Sequence, residues 1–160
     1  MGHYKVGQAC LRGHSVTGDR RSPFAAKHCP QCGEQTISQC PNCNSIIRGD
    51  FEVEGVLSLG GLPWEPNAHC HQCGAAYPWT QAKLDAVEEL AAAIEELTSH
   101  ERDVLRELTP HIIEDTPRTS PASFKIATII GKLGGHAGTA MKKLFEEIAV
   151  EAAKSSFGIR

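Results

Sequence analysis

The sequence is poor in several features that would each have named a class of protein. Its 160 residues carry a formal net charge of −3, too small to imply a partner on its own. Aromatic residues make up only 6% of the chain, and from about Gln81 to the C-terminus there is no Trp, no Tyr and no Cys. Long apolar runs are missing as well. Lys125, Lys132, Lys142 and Lys143 interrupt the most apolar stretch, leaving no uncharged run near the ~18 residues that a membrane-spanning helix requires. No apolar segment precedes the first cysteine, since the opening Met1-Gly-His-Tyr-Lys-Val is polar. The cysteines number seven, and an odd count argues against a closed disulfide framework. The expectation is a reduced, cytoplasmic protein, where CxxC pairs serve as metal sites or redox dithiols.

The cysteines that are present all fall between Cys10 and Cys73. Three pairs have CxxC spacing, Cys29-Pro-Gln-Cys32, Cys40-Pro-Asn-Cys43 and Cys70-His-Gln-Cys73, followed by Gly33, Asn44 and Gly74. This is the signature of a zinc knuckle. Two intervening residues let both sulfurs face one metal, and the turn continues through a residue at positive φ, which Gly and Asn tolerate best. Three pairs fall two ligands short of two tetrahedral sites, and Cys10-Leu-Arg-Gly-His14 supplies the difference. Two structural zinc ions are therefore expected, site one on Cys10, His14, Cys29 and Cys32 and site two on Cys40, Cys43, Cys70 and Cys73.

Counting alone also permits an interleaved, cross-braced pairing. The link from Gly33 to Gln39 is seven residues, which suits two adjacent ribbons joined end to end, and each ribbon's own insert is long enough for a hairpin. Strand signals lie at Phe51-Glu-Val-Glu and Val56-Leu-Ser-Leu around Gly55, with Gly60-Gly61 as a turn. Site two thus reads as a ribbon with an enlarged hairpin. A redox dithiol would need a strand-to-helix setting that this half lacks, and the mixed Cys/His set of site one favours zinc over an iron–sulfur cluster. Four protein ligands, mostly thiolates, close each site, so no catalytic zinc is expected. His28, His69 and His71 neighbour ligand cysteines and are assigned as non-ligands.

The remainder reads as helical. An acidic amphipathic region spans residues 81–114, in which Thr80 is the expected cap of a helix from about Gln81 to Leu97. Thr98 and Glu101 form a capping box for a second, shorter helix, and Thr109-Pro110 starts another turn. Residues 115–121, with two prolines, read as a hinge or linker. A basic amphipathic segment, 122–160, carries a stripe of Ile126, Ile130, Leu133, Ala137, Met141, Leu144, Ile148 and Ala152, widened by Phe124, Ile129 and Phe145. Gly131, Gly134, Gly135 and Gly138 leave two options, a helix pair broken near Gly134-Gly135 or one helix with a close helix neighbour. Charge divides accordingly: residues 81–119 hold four Lys/Arg against ten Asp/Glu, net −6, and residues 120–160 six against three, net +3. The fold class is a small zinc-stabilised β region of two tandem ribbons over residues 1–80, followed by an all-α region.

Several runs together carry a resemblance: Ala25 to Gly33, Cys10-Leu-Arg-Gly-His14, Cys40 through Asp50, Cys70 to Cys73 with Tyr77-Pro-Trp79, and Asp115-Thr-Pro-Arg118. The N-terminal half is similar to double zinc ribbon proteins. The chain more fully resembles a family of small bacterial proteins, domain of unknown function twenty-three twenty-one. That resemblance implies the metal sites and no reaction, and His14 departs from the double-ribbon pattern by replacing a cysteine.

The expected role is that of a non-enzymatic adaptor, with a protein partner and with self-association through residues 122–155. Trp64, Tyr77 and Trp79 are candidate exposed anchors, or equally the core of a small ribbon. Nucleic acid is the alternative partner, weakened by six Lys/Arg against six Asp/Glu in residues 1–80. A membrane surface, bound by the amphipathic C-terminal segment, is the second alternative.

Overall fold

Strand β1 (Gly2–Val6) runs antiparallel to a strand more than forty residues away, β5 (Arg48–Val53), pairing His3 with Glu52 and Tyr4 with Phe51. Between them in sequence, β2 (Gln8–Cys10) is the centre of a three-stranded sheet flanked by β3 (Ser15–Thr17) and β4 (Thr36–Ile37). The computed structural model describes residues 1–56 and 63–158. Contacts divide these into two compact units, Met1–Gln81 and Ala82–Arg160, with the boundary inside helix α1 (Pro78–Ala93). The N-terminal unit has small β-sheets and two Cys/His tetrads, and the C-terminal unit is helical.

The pairing of β1 with β5 corrects the expected hairpin of site two. Phe51–Val53 is strand as anticipated, but its partner is the N-terminus of the chain. The second expected strand, Val56-Leu-Ser-Leu, lies outside the described residues from Leu57 onward, as does the Gly60-Gly61 turn before the segment returning to Cys70. The exchange is possible because three segments meet at backbone distance. A Cβ on Gly49 would fall inside contact distance of the Gly18 carbonyl oxygen and 2.7 Å from the Gly7 nitrogen. Asp50 N–H donates to Gly18 O at 2.9 Å, and Gly7 N–H donates to Ile47 O at 2.9 Å. Only glycine permits this approach.

The core of the N-terminal unit is Ala9, Cys40, Ile47, Cys70, Tyr77 and Trp79, with Ile37, Cys43 and Trp64 packed on it. Tyr77 and Trp79 stack at 4.7 Å and are 2% and 5% exposed, so of the two readings open for them the structure selects core over exposed anchor. Trp64 is half-buried, its ring lying over Gly7 and its Nε1–H donating to Arg48 O at 3.0 Å.

In the helical unit, α2 (Ser99–Leu108), α3 (Pro110–Ile113), α4 (Thr119–Lys132), α5 (Gly135–Ile148) and α6 (Glu151–Lys154) follow α1, and a 3-10 turn covers Ser155–Phe157. Helix α4 is central and packs against α2, α3, α5, α6 and the closing turn. Its buried residues Ile126, Ile129 and Ile130 meet Leu105, Ile112, Met141, Phe145 and Phe157 in one core. Phe145 and Phe157 stack at 5.7 Å.

Four local expectations change. Helix α1 starts at Pro78, where a fixed φ suits the first turn, and Thr80 is no cap: its hydroxyl donates to Ala68 O at 2.7 Å. The helix ends at Ala93, short of Leu97, because Arg102 donates to the freed carbonyls of Ala91 and Ile94 at 3.0 and 2.8 Å. Residues 119–121 belong to the first turn of α4, and the turn before them is tied down. Thr119, 1% exposed, donates to His111 O and Glu114 O and accepts from Thr116 N–H. In the stripe, Phe124 is 71% exposed and Ala153 takes the buried place of Ala152, since the break at Ala149-Val150 resets the helical phase.

The capping box is present in full: Glu101 N–H donates to Thr98 Oγ1 at 3.2 Å while Thr98 N–H donates to Glu101 Oε2 at 3.0 Å. The C-terminal segment breaks at Leu133-Gly134 into a helix pair. Nothing lies within 4 Å of a Cβ built on Gly131, Gly134 or Gly135, so these glycines host no close helix approach within the described residues.

Candidate metal centres

Three copies of one knuckle shape the N-terminal unit. In each, the first cysteine's N–H bonds to a carbonyl five residues on, and its own carbonyl receives the N–H four residues on. Thus Cys29 N–H donates to Glu34 O and Gly33 N–H to Cys29 O, and Cys40 and Cys70 repeat this with Ser45/Asn44 and Ala75/Gly74, all at 2.8–2.9 Å. Each closes through positive φ, 73° at Gly33, 60° at Asn44 and 72° at Gly74. The turn points both sulfurs of a CxxC pair to the same side. The Cys10–His14 loop is different, with Cys10 N–H bonded to His14 O at 3.1 Å and the positive φ, 89°, at Gly13. The extra residue leaves room for an imidazole in place of a thiol.

These turns bring together Cys10, His14, Cys29 and Cys32 in one tetrad and Cys40, Cys43, Cys70 and Cys73 in another, each with its donor atoms within 4.8 Å of one another. The pairs are grouped in sequence order, without cross-bracing. His14 faces its tetrad through Nδ1, 3.3 Å from Cys32 Sγ, 3.5 Å from Cys10 Sγ and 3.7 Å from Cys29 Sγ. Cys10 and Cys32 sulfurs are 3.9 Å apart. In the second tetrad Cys40–Cys73 and Cys43–Cys70 are 3.8 and 3.6 Å apart. With Zn–S near 2.3 Å and Zn–N near 2.05 Å, tetrahedral edges are about 3.8 Å between sulfurs and about 3.5 Å between sulfur and nitrogen. Both donor sets fit a zinc ion, and each tetrad could hold one metal ion.

The surroundings donate to sulfur, as they would to thiolates. His14 N–H lies 3.3 Å from Cys10 Sγ, Gln72 N–H 3.4 Å from Cys70 Sγ, and Asn42 Nδ2 donates to Cys73 Sγ at 3.5 Å. The Ser45 hydroxyl, 3.2 Å from Cys70 Sγ, is the first of several donors that hold that thiol down to about 5, whereas burial pushes Cys40 up to about 11. Four sulfurs this close cannot all ionise alone, and a divalent cation removes the conflict. Ser45 and Asn42 carry no motif of their own; their only signal in the sequence is their place within and just after a knuckle. His28, His69 and His71 are exposed and lie outside both tetrads.

Among the described residues, no helix is long and apolar enough to cross a membrane. No curated protein and no solved structure matches the chain. A family model described as an uncharacterized protein conserved in bacteria (DUF2321) matches residues 3–157, a span that contains both tetrads and nearly all of the helical unit. The chain belongs to that bacterial family, DUF2321.

Proposed function

We propose that the chain is a non-enzymatic zinc protein of the cytoplasm, a bacterial adaptor that works by presenting surfaces to a protein partner. Its two zinc ions are structural, held by Cys10, His14, Cys29 and Cys32 and by Cys40, Cys43, Cys70 and Cys73. The observation that carries this reading is the closure of both tetrads by four protein donor atoms within 4.8 Å. Three or four thiolates would donate enough charge to leave the metal a poor Lewis acid, and a filled shell offers substrate or water no place. Bound zinc supplies folding free energy to a unit whose largest buried apolar cluster, among the described residues, is Ala9, Cys40, Ile47, Cys70, Tyr77 and Trp79.

Self-association through residues 122–155 is part of the proposal. Exposed Phe124 and the uncovered glycines of the α4–α5 turn support it, because they leave apolar and closely approachable surface on the helical unit. Light scattering on the zinc-loaded chain tests it. A dimer that Phe124→Glu converts to monomer agrees, and a monomer at all concentrations up to the millimolar range rejects self-association. Affinity capture with the wild-type chain and its Phe124→Glu variant reports the protein partner.

A further inference from the structure

The even count of charges in residues 1–80 hides an uneven placement. Three adjoining concavities on the N-terminal unit share Arg20. One adds His3, Tyr4, Lys5 and Arg21, a second Lys27 and His28, and a third the amide-rich edge of the second knuckle, Gln39 and Asn44. Among the described residues, no Asp or Glu lines any of the three. Of the neighbouring carboxylates, Asp19 lies 3.4 Å from Lys5 and 3.6 Å from Arg21, and Glu52 lies 3.5 Å from Lys5 and 3.6 Å from His3. Arg20 and Lys27 have no carboxylate partner among the described residues and are exposed.

At one end of this trough, aromatic rings lie open on the β1–β5 ribbon. Tyr4 and Phe51 are 46% and 57% exposed, with ring centroids 4.9 Å apart, and the Arg48 guanidinium sits 4.8 Å above the Tyr4 ring. The Phe51 ring lies against Gly2, whose lack of a Cβ leaves it room. Exposed aromatic rings beside a guanidinium offer flat bases a stacking partner, and Arg20 and Lys27, with no carboxylate partner among the described residues, suit a phosphodiester backbone.

We propose that this face binds single-stranded nucleic acid, with bases stacked on Tyr4 and Phe51 and phosphates held by Arg20, Arg21, Lys27 and Arg48. The inference rests on the zinc-held frame of the proposed function and adds a second kind of partner to it. An acidic peptide would match the cations equally well but would gain little from the exposed parts of the Tyr4 and Phe51 rings, which is why nucleic acid is favoured.

The test is fluorescence anisotropy of the full, zinc-loaded chain with labelled twelve-nucleotide single strands of DNA and RNA, at several salt concentrations. Binding should weaken steeply with salt, with a slope of log K against log salt of about −0.7 per phosphate contact. Arg20→Gln and Lys27→Gln should each weaken binding several-fold and lower the slope by about one contact, Tyr4→Ala with Phe51→Ala should weaken it about tenfold or more, and Arg12→Gln, outside the trough, should change nothing. Zinc content is measured on every variant. Absence of salt-dependent binding by a chain that retains its zinc overturns the inference and leaves the zinc frame standing. So does binding that ignores the aromatic substitutions, which removes base stacking, or displacement by poly-glutamate as effective as displacement by unlabelled strand, which assigns the face to acidic peptides. Loss of zinc from wild type under the same conditions counts instead against the frame.

Discussion

Gly13, in the loop that carries His14 into its tetrad, lies directly against Trp79, so that a Cβ at Gly13 would sit 2.7 Å from the Cβ of the tryptophan. Trp79 in turn stacks on Tyr77, which shares a core with Cys40 and Cys70 of the second tetrad. The two tetrads are thereby joined through a continuous packed path within one unit. Gly13→Ala meets both this contact and a φ of 89°, and is expected to destabilise the N-terminal unit by about 1–3 kcal/mol. Zinc release to a chelator should accelerate at the Cys3His tetrad first. Trp79→Ala, which opens a cavity on the same path, should cost about 3–5 kcal/mol and speed release from both.

Gly49 gives a second, independent check on how the unit is built. Its contact with Gly18 and Gly7 is backbone on backbone, so no flexible side chain can move aside. Gly49→Ala is expected to disturb β1–β5 pairing with a loss of about 2 kcal/mol or more. Amide exchange at Tyr4 and Phe51 should rise by more than that at Ala9, which sits in the other sheet.

In the helical unit, Arg102 closes the end of α1 by donating to Ala91 O and Ile94 O. Arg102→Ala leaves both carbonyls without those donors and is expected to cost about 1–3 kcal/mol. Hydrogen exchange should increase over residues 91–97 while the core of α4 stays protected. Unchanged exchange there would show that water replaces the guanidinium without penalty.

Glu101 links pH to the same region. The Thr98 backbone N–H, then the Thr98 hydroxyl and Lys132, hold its carboxyl down to about 2 from an ordinary 4.5. Because the folded-state value is depressed, the contribution to stability is complete above about 4.5 and is lost as pH falls toward about 2. A carbon-detected titration of the Glu101 carboxyl should show that low midpoint, and Thr98→Ala, which removes the hydroxyl but keeps the backbone N–H and Lys132, should raise it only part of the way toward 4.5.

The parts of this fold that were legible in sequence are those governed by local chemistry. CxxC spacing with Gly33, Asn44 and Gly74 announced the knuckles and their positive φ, and Thr98 with Glu101 announced a helix start, because each is decided within a few residues. The pairing of β1 with β5 was not legible, since strand partners are chosen by contacts made across forty residues, and the glycines that allow the crossing resemble ordinary turn residues. Tyr77 and Trp79 were open to two readings for a related reason: an aromatic beside a knuckle is core or anchor according to what covers it. The end of α1 depended on Arg102, whose role as a cap arises only once α2 has folded back.

Occupancy of each tetrad by one zinc ion is read by native mass spectrometry of the purified chain and two variants. Wild type should carry two zincs, while His14→Ala and Cys70→Ala should each retain one firmly bound ion and lose or loosen the other. Two equally firm zincs in His14→Ala, or fewer than two in the wild type after expression and purification with zinc, would contradict the account.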